Sequence, residues 1–141
     1  MSGFDLEGFL PYQLAVLSSR ISREFSTLYQ RKFGISVAEW RVVAHLSQSG
    51  SVSVREIHDK VDMDKPKVSR AASRLEAEGY ITKTANTKDG RLVSLALTDK
   101  GCAMIAEITP LAHAYEAEVF LRLGAQEPAF KQAIATLLNR P

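Results

Sequence analysis

At 141 residues the chain has the length of one domain and enough residues for a hydrophobic core of its own. With 45% hydrophobic and 24% charged residues and no low-complexity tract, its composition is that of an ordinary globular protein and excludes a disordered or fibrous class. A net charge of +2 is too small to signal a polyanionic partner by itself, so the distribution of charge matters more than its total.

No apolar run approaches the roughly 18 to 20 residues of a membrane span, and Met1 to Leu10 has neither a basic start nor a signal-type apolar core. A cytoplasmic location is the expectation. The single cysteine, Cys102, has no second cysteine for a disulfide or a thiolate metal site. His45, His58 and His113 are scattered without acidic or cysteine partners at metal-ligand spacing, so neither a metal nor a cofactor is expected. No Ser/His/Asp, Cys/His or metal constellation supports an enzyme.

In chain order, Pro11 suits the first turn of a helix, and Leu14, Leu17, Ile21, Phe25 and Leu28 recur at three-and-four spacing. They predict a helix from about Tyr12 to Phe33 burying one stripe, stopped by Gly34. Ser36 with Glu39, and Ser53 with Glu56, carry the capping-box pattern in which a Ser side chain and a Glu three residues on satisfy each other's backbone donors. The first predicts a helix to about Gln48 burying Trp40, Val43 and Ala44, and the second a shorter one to about Val61 burying Val54, Ile57 and Val61. Ser49-Gly50-Ser51 is the turn between them.

Asp64 then caps a further helix, with Pro66 tolerable in its first turn. At 100° per residue Val68, Ala72 and Leu75 share one face, while Lys67, Arg70 and Arg74 gather on the opposite one, flanked by Ser69 and Ser73. A short helix, a tight turn and a helix with a cationic outer face make a helix-turn-helix, whose second helix enters the major groove of DNA. A basic helix face taken alone is more often merely solvated. Here, however, seven basic residues (Lys65, Lys67, Arg70, Arg74, Lys83, Lys88 and Arg91) stand against three acidic ones between positions 65 and 91. Tyr80 to Thr84 and Leu92 to Leu97 then predict two strands joined by Asn86 to Arg91, whose Asp-Gly is a hairpin signal. Such a ribbon, with Lys88 and Arg91 at its tip, is the wing of a winged helix, and an Arg there suits the negative potential of a narrow minor groove.

The stretch TKDGRLVSLALTDKG resembles the wing signature of the MarR family of bacterial regulators, an Asp-x-Arg followed by Leu-x-Leu-Thr and a Gly, here Asp89, Arg91, Leu95, Leu97, Thr98 and Gly101. DKPKVSRAASRLEAEGYI is similar to the recognition helix of that family and its exit into the wing. The resemblance implies a mainly α fold with a small antiparallel β-hairpin wing, one domain in which residues 35–101 form the DNA-binding lobe and residues 1–34 and 102–141 supply dimerisation helices. It implies that Asp89 braces the wing and Arg91 reaches the minor groove. Lys65, Lys67, Ser69, Arg70, Ser73, Arg74, Lys88, Asp89 and Arg91 are accordingly the expected DNA-binding residues.

The rest of the chain accords with that. Thr98 caps a long helix to about Leu123, with Ile105, Ile108, Ala112, Tyr115 and Val119 as its stripe and Pro110 expected to bend it. After Gly124, Pro128 opens a last helix expected to bury Phe130, Ile134, Leu137 and Leu138. Apolar helices at both ends exceed what an isolated DNA-reading unit needs, and the resemblance implies that they interleave with a second copy, placing two recognition helices about one DNA turn apart over a pseudo-palindromic operator.

The resemblance further implies a cleft for an aromatic or phenolic acid between the dimerisation helices and the DNA-binding lobe, for which Tyr12, Ser19, Arg20, Trp40, Arg41 and His45 offer aromatic surface and cations. Arg20 has an alternative as an ion-pair partner of Glu24. Relatives that sense peroxide carry their reactive thiol in the first helix, where this chain has none, so Cys102 is expected to be incidental. The function expected is a homodimeric repressor released by such an acid. The alternative is an architectural DNA binder without a ligand.

Overall fold

A computed structural model describes residues 3–85 and 93–139 of the chain. Among the described residues the order of elements is α1 (Leu10–Phe33), α2 (Val37–Ser49), β1 (Val52–Ser53), α3 (Val54–Val61), α4 (Lys65–Ala77), β2 (Ile81–Ala85), β3 (Val93–Leu97), α5 (Asp99–Leu123), a 3-10 turn (Gly124–Gln126) and α6 (Glu127–Leu138). They form two compact units, residues 1–108 and 109–141, with α5 running through the boundary.

Local signals account for most element ends. Pro11 lies in the first turn of α1, and Gly34 closes that helix in the left-handed region (φ 68°), donating its N–H to the Gln30 carbonyl. At α2 the capping box is complete: Ser36 Oγ accepts from the Glu39 N–H at 3.1 Å, and Glu39 Oε1 accepts from the Ser36 N–H at 2.9 Å. At α3 only half of it forms. Ser53 Oγ accepts from the Glu56 N–H at 3.1 Å, but the Ser53 backbone already belongs to β1, paired with Ser94, and Glu56 meets the Ser53 hydroxyl instead.

The sheet has three strands in the order β1-β3-β2, both pairings antiparallel, with Val52 opposite Leu95 and Ile81 opposite Leu97. The expected hairpin therefore gains a third strand. At two residues β1 is too short to carry any periodicity.

The core of the first unit is Tyr29, Val42, Val43, Leu46, Ile57, Val68, Ala72, Leu75, Ile81, Leu95, Met104 and Ile108, each at 2% exposure or less. Three expectations about burial need correcting. On α1 the residues facing inward are Ser26 and Tyr29, whereas Leu14, Leu17 and Leu28 are 50%, 40% and 41% exposed. On α2 the core positions are Val42, Val43 and Leu46, with Trp40 and Ala44 half-buried at the edge. On α6 no residue is buried, and Ile134, Leu137 and Leu138 are 42%, 60% and 79% exposed. In each case an apolar period marks a face that seeks burial without saying what covers it.

The junction of wing and α5 is tightly built. Thr98 Oγ1 accepts from the Gly101 N–H at 3.1 Å, capping α5, and donates to the Gly79 carbonyl at 2.6 Å. The Thr98 N–H in turn donates to the Tyr80 carbonyl at 3.0 Å. A Cβ at position 101 would collide with that carbonyl oxygen, so the first turn of α5 can lie against Tyr80 only with glycine there. Pro110 sits inside α5, where it cannot donate to the carbonyl four residues back, yet the helix continues to Leu123.

Candidate nucleic-acid interface

Three elements present α4. The turn before it is set by Asp62 in the left-handed region (φ 54°) and by buried Met63, whose carbonyl accepts a 2.6 Å hydrogen bond from His58 Nδ1. Asp64 caps the helix by accepting from the Lys67 N–H at 2.8 Å, and Pro66 occupies its first turn. Val68, Ala71, Ala72 and Leu75 anchor α4 in the core. The remaining face, with Lys65, Lys67, Ser69, Arg70, Ser73 and Arg74, is exposed. Six of the nine expected DNA-binding residues thus share one open face, and Lys88, Asp89 and Arg91 lie outside the described residues.

The basic residues on that face differ in their ties. Arg74 Nε lies 3.4 Å from Oε2 of Glu39, a carboxylate only 5% exposed, while Arg74 itself remains 75% exposed. Ser73 Oγ accepts a 2.8 Å hydrogen bond from Lys83 Nζ, which brings a β2 cation beside α4. Lys65, Lys67 and Arg70 make no hydrogen bond or ion pair through their side chains among the described residues, so their charges are open to an outside anion. Sequence patterning gave no role here to Glu39 beyond capping or to His58 at all, since each acts on a residue distant in sequence or across a turn.

The six residues expected around a small acid do not converge on one pocket. Tyr12 and Arg20 line an open groove of about 330 Å³ on the first half of α1, with Glu7, Gln13, Val16 and Leu17. Ser19, Trp40, Arg41 and His45 do not line it. Trp40 stacks on Tyr29 at 5.5 Å between ring centroids and meets Phe25 edge-on at 5.4 Å. Arg41 reaches Ser22 Oγ at 3.4 Å, and His45 Nε2 lies 3.3 Å from Ser49 Oγ. Burial pushes the Tyr29 hydroxyl up to about 12, an effect that Arg41 opposes and Glu39 reinforces.

A helix-turn-helix whose second helix turns a cationic face outward beside a three-stranded antiparallel sheet defines a winged-helix protein. Residues 33–92 match the MarR family profile. Over 96% of its length the chain superimposes on 93% of the MarR/EmrR family transcriptional regulator from Acinetobacter sp. ADP1, with a TM-score of 0.81 and 30% identity. The chain belongs to the MarR family. It is also 38% identical over 77 residues to the transcriptional repressor MdtR of Bacillus subtilis, a match covering 55% of this chain and half the length of that relative. The fold is shared by Bordetella bronchiseptica BpsR, with a TM-score of 0.80, 23% identity and coverage of 97% of this chain and 95% of that one. The structure of BpsR concerns the regulation of its DNA binding by 6-hydroxynicotinic acid. Among the described residues no helix is long and apolar enough to cross a membrane.

Proposed function

We propose that this chain is a sequence-specific, DNA-binding transcriptional repressor that acts as a homodimer in the cytoplasm. The observation that carries the proposal is the outward face of α4, where Lys65, Lys67 and Arg70 lie open on a helix anchored by Val68, Ala72 and Leu75. Such a face supplies phosphate contacts for affinity and side chains for base edges, while Arg91 of the wing enters the minor groove. Exposed leucines on α1 and α6 support a second copy as the partner that sets the spacing of two recognition helices. That spacing implies a pseudo-palindromic operator.

Release by a small aromatic or phenolic acid is part of the same proposal. The groove bearing Tyr12 and Arg20 supports it, as does the control of BpsR by 6-hydroxynicotinic acid. An acid that favours a DNA-incompetent spacing weakens DNA binding, and DNA weakens binding of the acid by the same factor.

The test is selection of bound duplexes from a random library, followed by gel-shift titration of the selected site. Arg91→Ala is expected to weaken binding by about tenfold to a hundredfold at matched salt. Affinity should also fall steeply with salt, as several phosphate contacts require. Wild-type-like binding by Arg91→Ala would remove the wing tip from the interface, and selection that returned no consensus would favour the architectural alternative.

A further inference from the structure

Glu39 stands apart among the described charged residues of the first unit, because it is a carboxylate at 4% exposure whose two oxygens serve different elements. Oε1 accepts from the Ser36 N–H at 2.9 Å and closes the cap of α2. Oε2 faces Arg74 Nε at 3.4 Å, on the helix that carries the basic face. A carboxylate so nearly removed from water persists only if its charge is met, and the Ser36 N–H hydrogen bond and the Arg74 guanidinium, as an ion pair, meet it. Arg74 approaches Glu39 through Nε, as an ion pair. Its two terminal nitrogens, with four further N–H groups, belong to a side chain that is 75% exposed.

We propose that Glu39 is a positioning residue for DNA recognition: it holds Arg74 by the Nε edge so that the guanidinium fork is aimed at a DNA phosphate before DNA arrives. The proposal rests on the DNA-binding function proposed above. Position 74 lies in the last turn of α4, beyond the helix start that reads base edges, which makes a phosphate the natural target. Holding the fork in advance lowers the side-chain entropy lost on binding, and a guanidinium fork matches two phosphate oxygens where an ammonium cannot.

Positioning and simple charge balance predict opposite signs. Glu39→Gln removes a negative charge near DNA, so charge balance alone would tighten binding. It also leaves one acceptor oxygen, which the Ser36 N–H claims, and so releases Arg74 while keeping the α2 cap. The experiment is gel-shift titration of wild type, Glu39→Gln and Arg74→Lys on the selected operator, with thermal melts of all three. We expect Glu39→Gln to bind about tenfold more weakly despite its added net positive charge, and Arg74→Lys, which keeps the charge but not the fork, to lose a similar factor. Operator binding by either variant as tight as wild type, or tighter, would overturn the proposal. Should Glu39→Gln fail to fold, Arg74→Lys decides alone. A wild-type chain that bound no DNA would overturn the DNA-binding function itself, whereas a binding wild type with indifferent variants would overturn only the role of Glu39.

Discussion

The lobe built from α2 to the start of α5 and the helices at the two ends of the chain use the same apolar residue types to different effect. In the lobe Val43, Ile57, Val68 and Leu95 are completely covered by the chain itself, and Leu75 is 1% exposed. At the ends Leu14, Leu121, Leu137 and Leu138 stand 50%, 81%, 60% and 79% exposed. Each of these leucines forgoes half or more of the roughly 1.5 to 3 kcal/mol that full burial provides. The lobe therefore completes its core within one chain, while the ends carry apolar surface whose value is realised only against something else.

Two substitutions would break or sharpen that contrast. Leu75→Ala, at the centre of the α4 anchor, is expected to lower the free energy of unfolding by about 2 to 5 kcal/mol, read from urea denaturation. The paired change Leu137→Ser and Leu138→Ser is expected to leave the lobe intact and instead to raise the dissociation constant of the proposed dimer by about tenfold or more, read by sedimentation across a concentration series. Because the stability of a dimer depends on protomer concentration, the second comparison belongs at concentrations where both proteins are monomeric. If the serine pair cost as much as Leu75→Ala under those conditions, the ends would be part of the same core and the contrast would fail.

The same contrast explains how far the fold was legible from sequence. Caps and stops are local, so Ser36, Asp64, Thr98 and Gly34 marked helix ends to within a residue or two. The inward and outward faces of α4 followed from its period, because Val68, Ala72 and Leu75 need burial and the charged residues between them need water. Period alone could not distinguish cover by the same chain from cover by another, and the stripes of α1 and α6 were assigned burial that one chain does not provide. Nor could it reveal contacts between distant positions. Glu39 carried a complete local explanation as a cap, which concealed its pairing with Arg74 across 35 residues; Lys83 meeting Ser73 and His58 meeting the Met63 carbonyl likewise depend on how the chain returns on itself.

The smallest expected effect tests where α1 passes from one regime to the other. Leu14 and Leu17 in its first half and Leu28 nearer its end are exposed, but Tyr29, in the last two turns, has no exposed surface and packs against Trp40 and Phe25. Burial pushes its hydroxyl up to about 12, above the ordinary value near 10. The unfolded chain releases this proton near pH 10 while the folded chain holds it until about 12, so across that window the unfolded state binds fewer protons. The stability contributed by the neutral phenol is thus fully present below pH 10 and is lost as pH rises toward 12. Tyr29→Phe retains the ring and removes the titration. Between pH 9 and 12 the wild type should lose on the order of 2 kcal/mol more stability than Tyr29→Phe, as read by urea denaturation at each pH. A difference between the two proteins that stayed constant over that range would mean that Tyr29 is not held inside the lobe, and α1 would then belong wholly with the exposed ends.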